Sequence, residues 1–143
     1  MGNILVFKIG ANCFGIETAY VKSVIKNLEW VNSGSFREFA DGFVEYNGRK
    51  VFVVNLERKF LLKSDKNKCC QTEFIVVSLE GDEFVMPIDE IIDIFPVAEK
   101  DILPIPAFAL RYMPKNFFQG VFAVDEKLVL ILDVSKLLHD ENF

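Results

Sequence analysis

The chain has 143 residues, of which 51% are hydrophobic, and its 21 acidic and 16 basic residues give a formal net charge of −5. This charge argues against nucleic acid or an anionic membrane as a partner, and no apolar run approaches the roughly 20 residues of a membrane-spanning helix. With no signal peptide at its start, the chain is expected to be a single cytoplasmic domain, residues 1–143, that does not insert into a membrane.

The segment ILVFKIGANCFGI, residues 4–16, has two apolar arms around a polar turn, which predicts a β-hairpin. The segment FIVVSLEGDEFVM, residues 74–86, repeats this pattern at a constant offset of 70. After each copy, over residues 18–25 and 88–95, apolar residues recur three and four positions apart. That spacing favours short helical turns in both places.

A second hairpin is predicted by GFVEYNGRKVFVVNL, residues 42–56. Its centre is Asn47-Gly48, the strongest short-range hairpin signal, because both residues tolerate positive φ. The segment GVFAVDEKLVLILDV, residues 120–134, repeats it at an offset of 78, with Asp125 at the position of Asn47. Both hairpins therefore occur twice in the chain.

Two hairpins that each occur twice indicate a duplicated unit of about 70 residues. The strand spacing and turn signals favour small β-barrels over βαβ units. We place lobe 1 at about residues 14–73 and lobe 2 at about 74–138, and an exchange of the N-terminal strand between them stays open. The polar segment 61–73 is expected to be the connecting loop.

The apolar runs at residues 51–54 and 128–132 do not alternate with polar residues. A strand with one face in water alternates, whereas a continuous apolar run is buried on both faces. One face can fill the interior of its own lobe. The other face then meets the sister lobe, which is the preferred reading, or a protein partner.

Residues that could carry out catalysis are few. His139 is the single histidine and lies four residues from the end of the chain, and Cys13, Cys69 and Cys70 have no metal-ligand spacing. A thiol enzyme that uses Cys69 or Cys70 is a minor hypothesis, and the carboxylates within residues 89–93 are better explained as a solvated face. We therefore expect no enzyme, no metal site and no cofactor, with the cysteines as free thiols.

The segments above, together with DILPIP at residues 101–106, resemble the CheW-like domains in order and spacing over residues 4–138. These domains are adaptors that couple chemoreceptors to the histidine kinase CheA in bacterial chemotaxis. The resemblance implies a mainly β fold of two five-stranded, SH3-like barrels with short helices and a common hydrophobic centre. It also implies a non-catalytic adaptor in signal transduction.

The partners that the resemblance implies are the regulatory domain of a CheA-like kinase and the cytoplasmic hairpin tip of a chemoreceptor, which binds as a helix in a groove near the lobe junction. By position, the candidate partner-binding residues are Val21, Ser23, Val24, Gly42, Val44, Glu45, Tyr46, Asn47, Gly48, Met86, Ile88 and Gly120. Each has a structural alternative. The apolar residues also suit a core, the glycines suit a place where a side chain would clash, and Asn47-Gly48 suits a plain turn.

The chain also departs from the family pattern. Where the family carries Asn-Leu-Arg-Gly, residues 45–48 are Glu-Tyr-Asn-Gly, and the usual acidic counterpart of the arginine is Ser23. Losing both charges together avoids an unpaired charge at the lobe junction. Phe52 replaces a proline and Glu57 replaces an arginine. These changes indicate a divergent member whose choice of partner is altered by charge.

A second hypothesis is a small β-barrel that binds a ligand or an oligonucleotide and is unrelated to chemotaxis. Such barrels stack bases on exposed aromatic side chains in a basic groove. The 15 phenylalanines are present, but the charge is acidic and they fall mostly in apolar strand positions.

Overall fold

A computed structural model describes residues 2–26, 30–31, 40–56, 73–110 and 117–138 of the chain. The strands are β1 (Asn3–Ile9), β2 (Asn12–Glu17), β3 (Val21–Lys26), β4 (Trp30–Val31), β5 (Ala40–Tyr46), β6 (Arg49–Val54), β7 (Glu73–Leu79), β8 (Asp82–Ile88), β9 (Glu90–Pro96), β10 (Phe118–Val124) and β11 (Lys127–Leu132). Short α-helices are α1 (Ala107–Leu110) and α2 (Val134–Leu138), and 3₁₀ turns lie at Thr18–Tyr20 and Glu99–Asp101. The predicted mainly β fold is confirmed.

In the described part of the chain, the strands form two sheets. Sheet 1 has five strands in the order β10-β11-β2-β1-β9, and sheet 2 has six in the order β3-β7-β8-β6-β5-β4. The sixth strand of sheet 2, β4, has only two residues. The neighbours β11 and β2 are parallel, as are β6 and β8, and the other neighbours are antiparallel.

The predicted duplication is visible in the strand order. The offset of 70 makes β1, β2 and β3 equivalent to β7, β8 and β9, and the offset of 78 makes β5 and β6 equivalent to β10 and β11. When each strand of sheet 2 is replaced by its equivalent, the order of sheet 1 results, read from the other end and apart from β4. Even the parallel register agrees, because Leu130 lies opposite Phe14 in sheet 1 and Phe52 lies opposite Phe84 in sheet 2. Those pairs are related by the same two offsets, since 52 + 78 is 130 and 14 + 70 is 84. The two sheets are therefore built on one plan.

The two halves of the chain exchange their first hairpins. The hairpin β1–β2 pairs with β9 and β11 in sheet 1, and the equivalent hairpin β7–β8 pairs with β3 and β6 in sheet 2. Sheet 1 thus takes residues 3–17 and 90–132, and sheet 2 takes residues 21–88. Each sheet therefore contains strands from both halves of the chain, and the sequence offsets reveal the repeat but not which copies of a strand pair.

The short helical turns predicted over 18–25 and 88–95 are largely wrong, since only Thr18–Tyr20 is helical and the rest is mostly strand. The register against β1 shifts within β9, where Phe7 lies opposite Ile91 and Val6 opposite Asp93. The extra residue in a bulge places positions three apart on one face. Bulges therefore produce the apolar spacing that resembles a helix.

A large shared core lies between the sheets and is built mostly from the exchanged hairpins. From them it takes Leu5, Phe7, Ile9, Phe14, Ile16, Ile75, Val77, Phe84, Met86 and Ile88. Each sheet also encloses its own core, the sheet 1 core of Ile4, Val6, Val97, Phe122, Val129 and Ile131 and the sheet 2 core of Val44, Val51, Val53, Phe74, Val76 and Val85. The run 128–132 follows from this arrangement, because its side chains alternate between the shared core and the sheet 1 core. In the run 51–54, Val53 faces the sheet 2 core and Val54 faces the shared core, but Phe52 is 49% exposed, so that run is not buried on both faces throughout.

Replacing Phe14 by alanine should destabilise the whole domain. The Phe14 ring is fully buried in the shared core and packs against the rings of Phe118 and Phe7, with centroids 6.2 Å and 6.0 Å away. We expect the free energy of unfolding in urea to fall by about 3–5 kcal/mol. The matched control is Phe108→Ala, because the Phe108 side chain is 72% exposed and should lose well under about 1 kcal/mol. Equal losses for the two variants would contradict this core.

Candidate partner-binding surface

Three of the predicted partner-binding residues are fully buried. Val44 lies in the sheet 2 core, and Met86 and Ile88 lie in the shared core. None of these side chains reaches solvent, so each acts through packing. The exposed surface that a partner could contact does not include them.

The predicted residues on β3 lie on both of its faces. Its register shifts between Val21 and Ser23, which makes Lys22 the extra residue of a bulge. Val21 packs against the shared core, and Val24, on the same face, is 41% exposed. The equivalent position of β9 is Ile94, which is 51% exposed. The strand at one end of each sheet thus presents exposed aliphatic side chains, Val24 on β3 and both Ile92 and Ile94 on β9.

Ser23 and Tyr46 face the other side of sheet 2. Their hydroxyl groups share a hydrogen bond of 3.1 Å between Oγ and Oη. Tyr46 also packs against the sheet 2 core. Because β3 and β5 are not neighbours in the sheet, this bond shows that the sheet curls round and closes at this end.

The β5–β6 connection is the tight turn that the sequence predicts. Asn47 and Gly48 have φ of +51° and +76°, so both central residues have the positive φ of a hairpin turn. Both are exposed, as is Glu45 at the end of β5. A Cβ on Gly48 would meet nothing within 4 Å, so glycine serves the backbone conformation here and not a close contact.

Gly42 and Gly120 lie in equivalent irregular stretches of β5 and β10. The register shifts between Ala40 and Phe43 in one strand and between Phe118 and Gly120 in the other. A Cβ on Gly120 would lie 2.6 Å from Ile102 Cγ2 and 2.9 Å from the carbonyl oxygen of Leu103. The close approach of that segment is sufficient to explain the glycine at 120.

The structure adds three residues that the sequence did not single out. Glu83 on β8 accepts a 2.7 Å hydrogen bond at Oε2 from Lys22 Nζ, and its Oε1 accepts one from Arg49 Nη2. The Lys22 ammonium also lies 5.7 Å from the centre of the Tyr46 ring, a cation–π contact. We call Lys22, Ser23, Tyr46, Arg49 and Glu83 the Glu83 cluster.

The charges around Glu83 favour its ionised form. The hydrogen bond from Lys22 is the largest cause that lowers the pKa of the Glu83 carboxyl, and the positive charge of Arg49 adds to it. Partial burial acts in the opposite direction but does not prevail. Glu83 is therefore ionised at neutral pH and holds two cations at once.

Within the described residues, no helix is long and apolar enough to cross a membrane, and no three His, Cys, Asp or Glu side chains are grouped to hold a metal ion. Cys13 is a free, half-buried thiol. Glu57, Cys69, Cys70, His139 and most of the predicted connecting loop 61–73 lie outside the described residues.

Comparison with known proteins then identifies the family. The sequence model of the CheW-like domain matches residues 3–142. This chain belongs to the CheW-like domain family. Its resemblance to that family is therefore confirmed over nearly its full length.

The relatives of this CheW-like chain are distant but span it almost completely. The chemotaxis protein CheW of Klebsiella aerogenes is 24% identical over 141 residues, covering 96% of this chain and 82% of the relative. The chemotaxis protein CheW of Thermotoga maritima is 21% identical over 137 residues, covering 96% and 87%. The crystal structure of the scaffolding protein TtCheW from Thermoanaerobacter tengcongensis has a TM-score of 0.84 at 20% identity, covering 99% of this chain and 90% of that one. That likeness supports the fold.

The departures of this CheW-like chain from its family pattern now have a structural counterpart. Ser23 and Asn47 stand where the family resemblance places an acidic residue and an arginine. Ser23 instead shares its hydrogen bond with the neutral hydroxyl of Tyr46. The charges at this end of sheet 2 come from the Glu83 cluster, in which Lys22 and Arg49 both contact the carboxylate.

Gly120→Ala should destabilise this CheW-like fold because the new methyl group would press on a backbone oxygen that cannot rotate away. We expect the free energy of unfolding in urea to fall by about 1–3 kcal/mol. Gly2→Ala is the control, since a Cβ there meets nothing within 4 Å. If the two variants unfold at the same urea concentration, the close contact at Gly120 does not exist.

The contribution of Glu83 to stability should depend on pH. A carboxyl whose pKa is lower in the folded state stabilises the fold above its unfolded pKa of about 4.3 and loses this effect as the pH falls through the folded pKa. We therefore expect the gap in urea midpoint between the wild-type protein and Glu83→Gln to be full at neutral pH and to close below about pH 4. The same series with Glu126→Gln, an exposed turn residue, is the control. A gap for Glu83→Gln that stays constant with pH would show that its charge is not responsible.

Proposed function

We propose that this CheW-like protein is a non-catalytic adaptor that couples chemoreceptors to a CheA-like histidine kinase in the cytoplasm. The observation that carries the proposal is the family match over residues 3–142. The relatives are named chemotaxis proteins, and the similar solved structure is named a scaffolding protein. A ligand- or oligonucleotide-binding barrel unrelated to chemotaxis has no comparable support.

The surface proposed to meet these partners lies on sheet 2 and includes the face of β3 that carries Val24. Val24 offers an exposed aliphatic side chain beside the shared core, which suits an apolar contact with the helical tip of a receptor. Glu45, Tyr46 and the Asn47–Gly48 turn form an exposed or half-buried polar edge, which suits the kinase regulatory domain. Apolar centres surrounded by polar rims are the usual composition of such interfaces.

The test is a pair of binding titrations against the purified regulatory domain of the CheA-type kinase and a cytoplasmic hairpin fragment of a chemoreceptor from the same organism. We expect saturable binding of both by the wild-type protein. Val24→Asp should weaken binding of the receptor fragment by about tenfold or more, because it places a charge in an apolar contact.

The control for this substitution is Ala98→Asp, which adds the same charge at an exposed position before a 3₁₀ turn, where aspartate is favoured. It should bind like the wild-type protein. Failure of the wild-type protein to bind either partner would refute the coupling role. If Val24→Asp leaves receptor binding intact, the face of β3 that carries Val24 is not part of the partner-binding surface.

A further inference from the structure

The Glu83 cluster has an acidic centre covered by two cations. The Glu83 side chain is 9% exposed, whereas those of Lys22 and Arg49 are 42% and 59% exposed. Lys22 and Arg49 donate to different oxygens of the carboxylate, so Glu83 binds both cations at the same time. Removing Glu83 would free two exposed cations, whereas removing either cation would leave the other in place.

Two contacts of the cluster join strands that do not pair with each other, whereas Arg49 and Glu83 lie on the neighbouring strands β6 and β8. Lys22 reaches from β3 past β7 to Glu83 on β8, and Ser23 bonds to Tyr46 across the gap between β3 and β5. Lys22 is the bulge residue of β3, and bulges redirect a side chain away from the regular alternation of the strand. Side chains therefore hold β3 to the β5–β6 turn at this end of sheet 2.

Sheet 1 closes at the equivalent place without such a cluster. By the offsets of 70 and 78, Cys13 takes the position of Glu83, Ile92 that of Lys22, and Val124 that of Tyr46. Lys127 keeps a cation at the position of Arg49, and Asp93 takes that of Ser23, but the central carboxylate is absent. Cys13 and Val124 pack against the sheet 1 core instead of forming ion pairs. The barrel plan therefore does not require the ionic cluster. Among the described residues the cluster belongs to sheet 2 and has no counterpart in sheet 1, which points to a task that only sheet 2 performs.

The candidate partner-binding residues are concentrated around this cluster. Ser23 and Tyr46 belong to it, and Asn47 and Gly48 separate Tyr46 from Arg49 in the chain. Arg49 begins β6 directly after the turn, so its bond to Glu83 restrains the turn where the chain leaves it. The Lys22 contacts restrain β3 beside it.

We propose that Glu83 is a positioning residue for partner binding, which fixes the β5–β6 turn and β3 in one arrangement by holding Arg49 and Lys22. The part of this proposal that concerns docking rests on the proposed function. Glu83 itself is largely covered, so its effect on a partner passes through the two strands that it holds.

The test compares Glu83→Gln, which keeps the size of the side chain and removes its charge, with Glu126→Gln in the turn of the other sheet. Two readouts are needed: affinity for the kinase regulatory domain, and amide hydrogen exchange of residues 46–50 in the free protein. We expect about threefold to tenfold weaker binding for Glu83→Gln, as for the loss of two exposed ion pairs. Exchange in the turn should speed up by a similar factor, and Glu126→Gln should match the wild-type protein.

A third variant guards against simple unfolding. Arg49→Gln removes one exposed cation and one of the two ion pairs of Glu83, so the variant should fold. Its affinity and its turn exchange should change in the same direction as in Glu83→Gln, but by less. A role limited to stability would lower the melting temperature without changing affinity at a temperature where all variants are folded. Rescue of turn exchange and affinity by Glu83→Asp, which restores the charge, would support positioning.

The outcomes separate the two proposals. If the wild-type protein does not bind the kinase domain, the proposed function fails, and the exchange rates of the turn alone decide whether Glu83 positions it. If the wild-type protein binds and Glu83→Gln matches it in both affinity and turn exchange, the positioning role is refuted and the proposed function stands.

Discussion

The reciprocal exchange of the two first hairpins is the constraint on which the rest of this structure depends. Each half of the chain gives its first hairpin to the sheet of the other half, and the parallel contacts β2–β11 and β6–β8 hold these hairpins in place. Most of the shared core comes from the four exchanged strands. Neither sheet keeps all its strands without residues from the other half, so the two lobes form one structural unit.

The exchange also determines which strands a partner can reach. With β1 and β7 bound on both sides, β9 and β3 end the strand orders of their sheets, and their exposed aliphatic residues Ile94 and Val24 lie at equivalent positions beside the shared core. The two lobes then differ in charge. Sheet 2 carries the Glu83 cluster, whereas sheet 1 has Cys13 and Val124 at the equivalent places. One architectural plan thus presents two chemically different surfaces.

The sequence predicted those features that depend on local chemistry or on repetition. Asn47 and Gly48 identified the hairpin because few residues accept positive φ, and the constant offsets identified the duplication. Pairing between distant strands leaves no such signal, so the sequence left an exchange of the N-terminal strand open and did not indicate that whole hairpins are exchanged. Bulges gave a false helical spacing. The Glu83 cluster was missed because its charged residues lie 61 and 34 positions apart and meet only when distant strands come together in the folded sheet.

The claim that both lobes form one unit through the exchanged hairpins is tested most directly by native-state amide hydrogen exchange across a series of urea concentrations. Cooperative units open together, with the same free energy and the same dependence on denaturant. We expect the most protected amides of β1–β2 and of β7–β8 to share one opening free energy, equal to that of global unfolding. If the amides of one sheet exchanged through a separate opening of lower free energy, the two lobes would be independent folding units and the exchanged hairpins would not unite them.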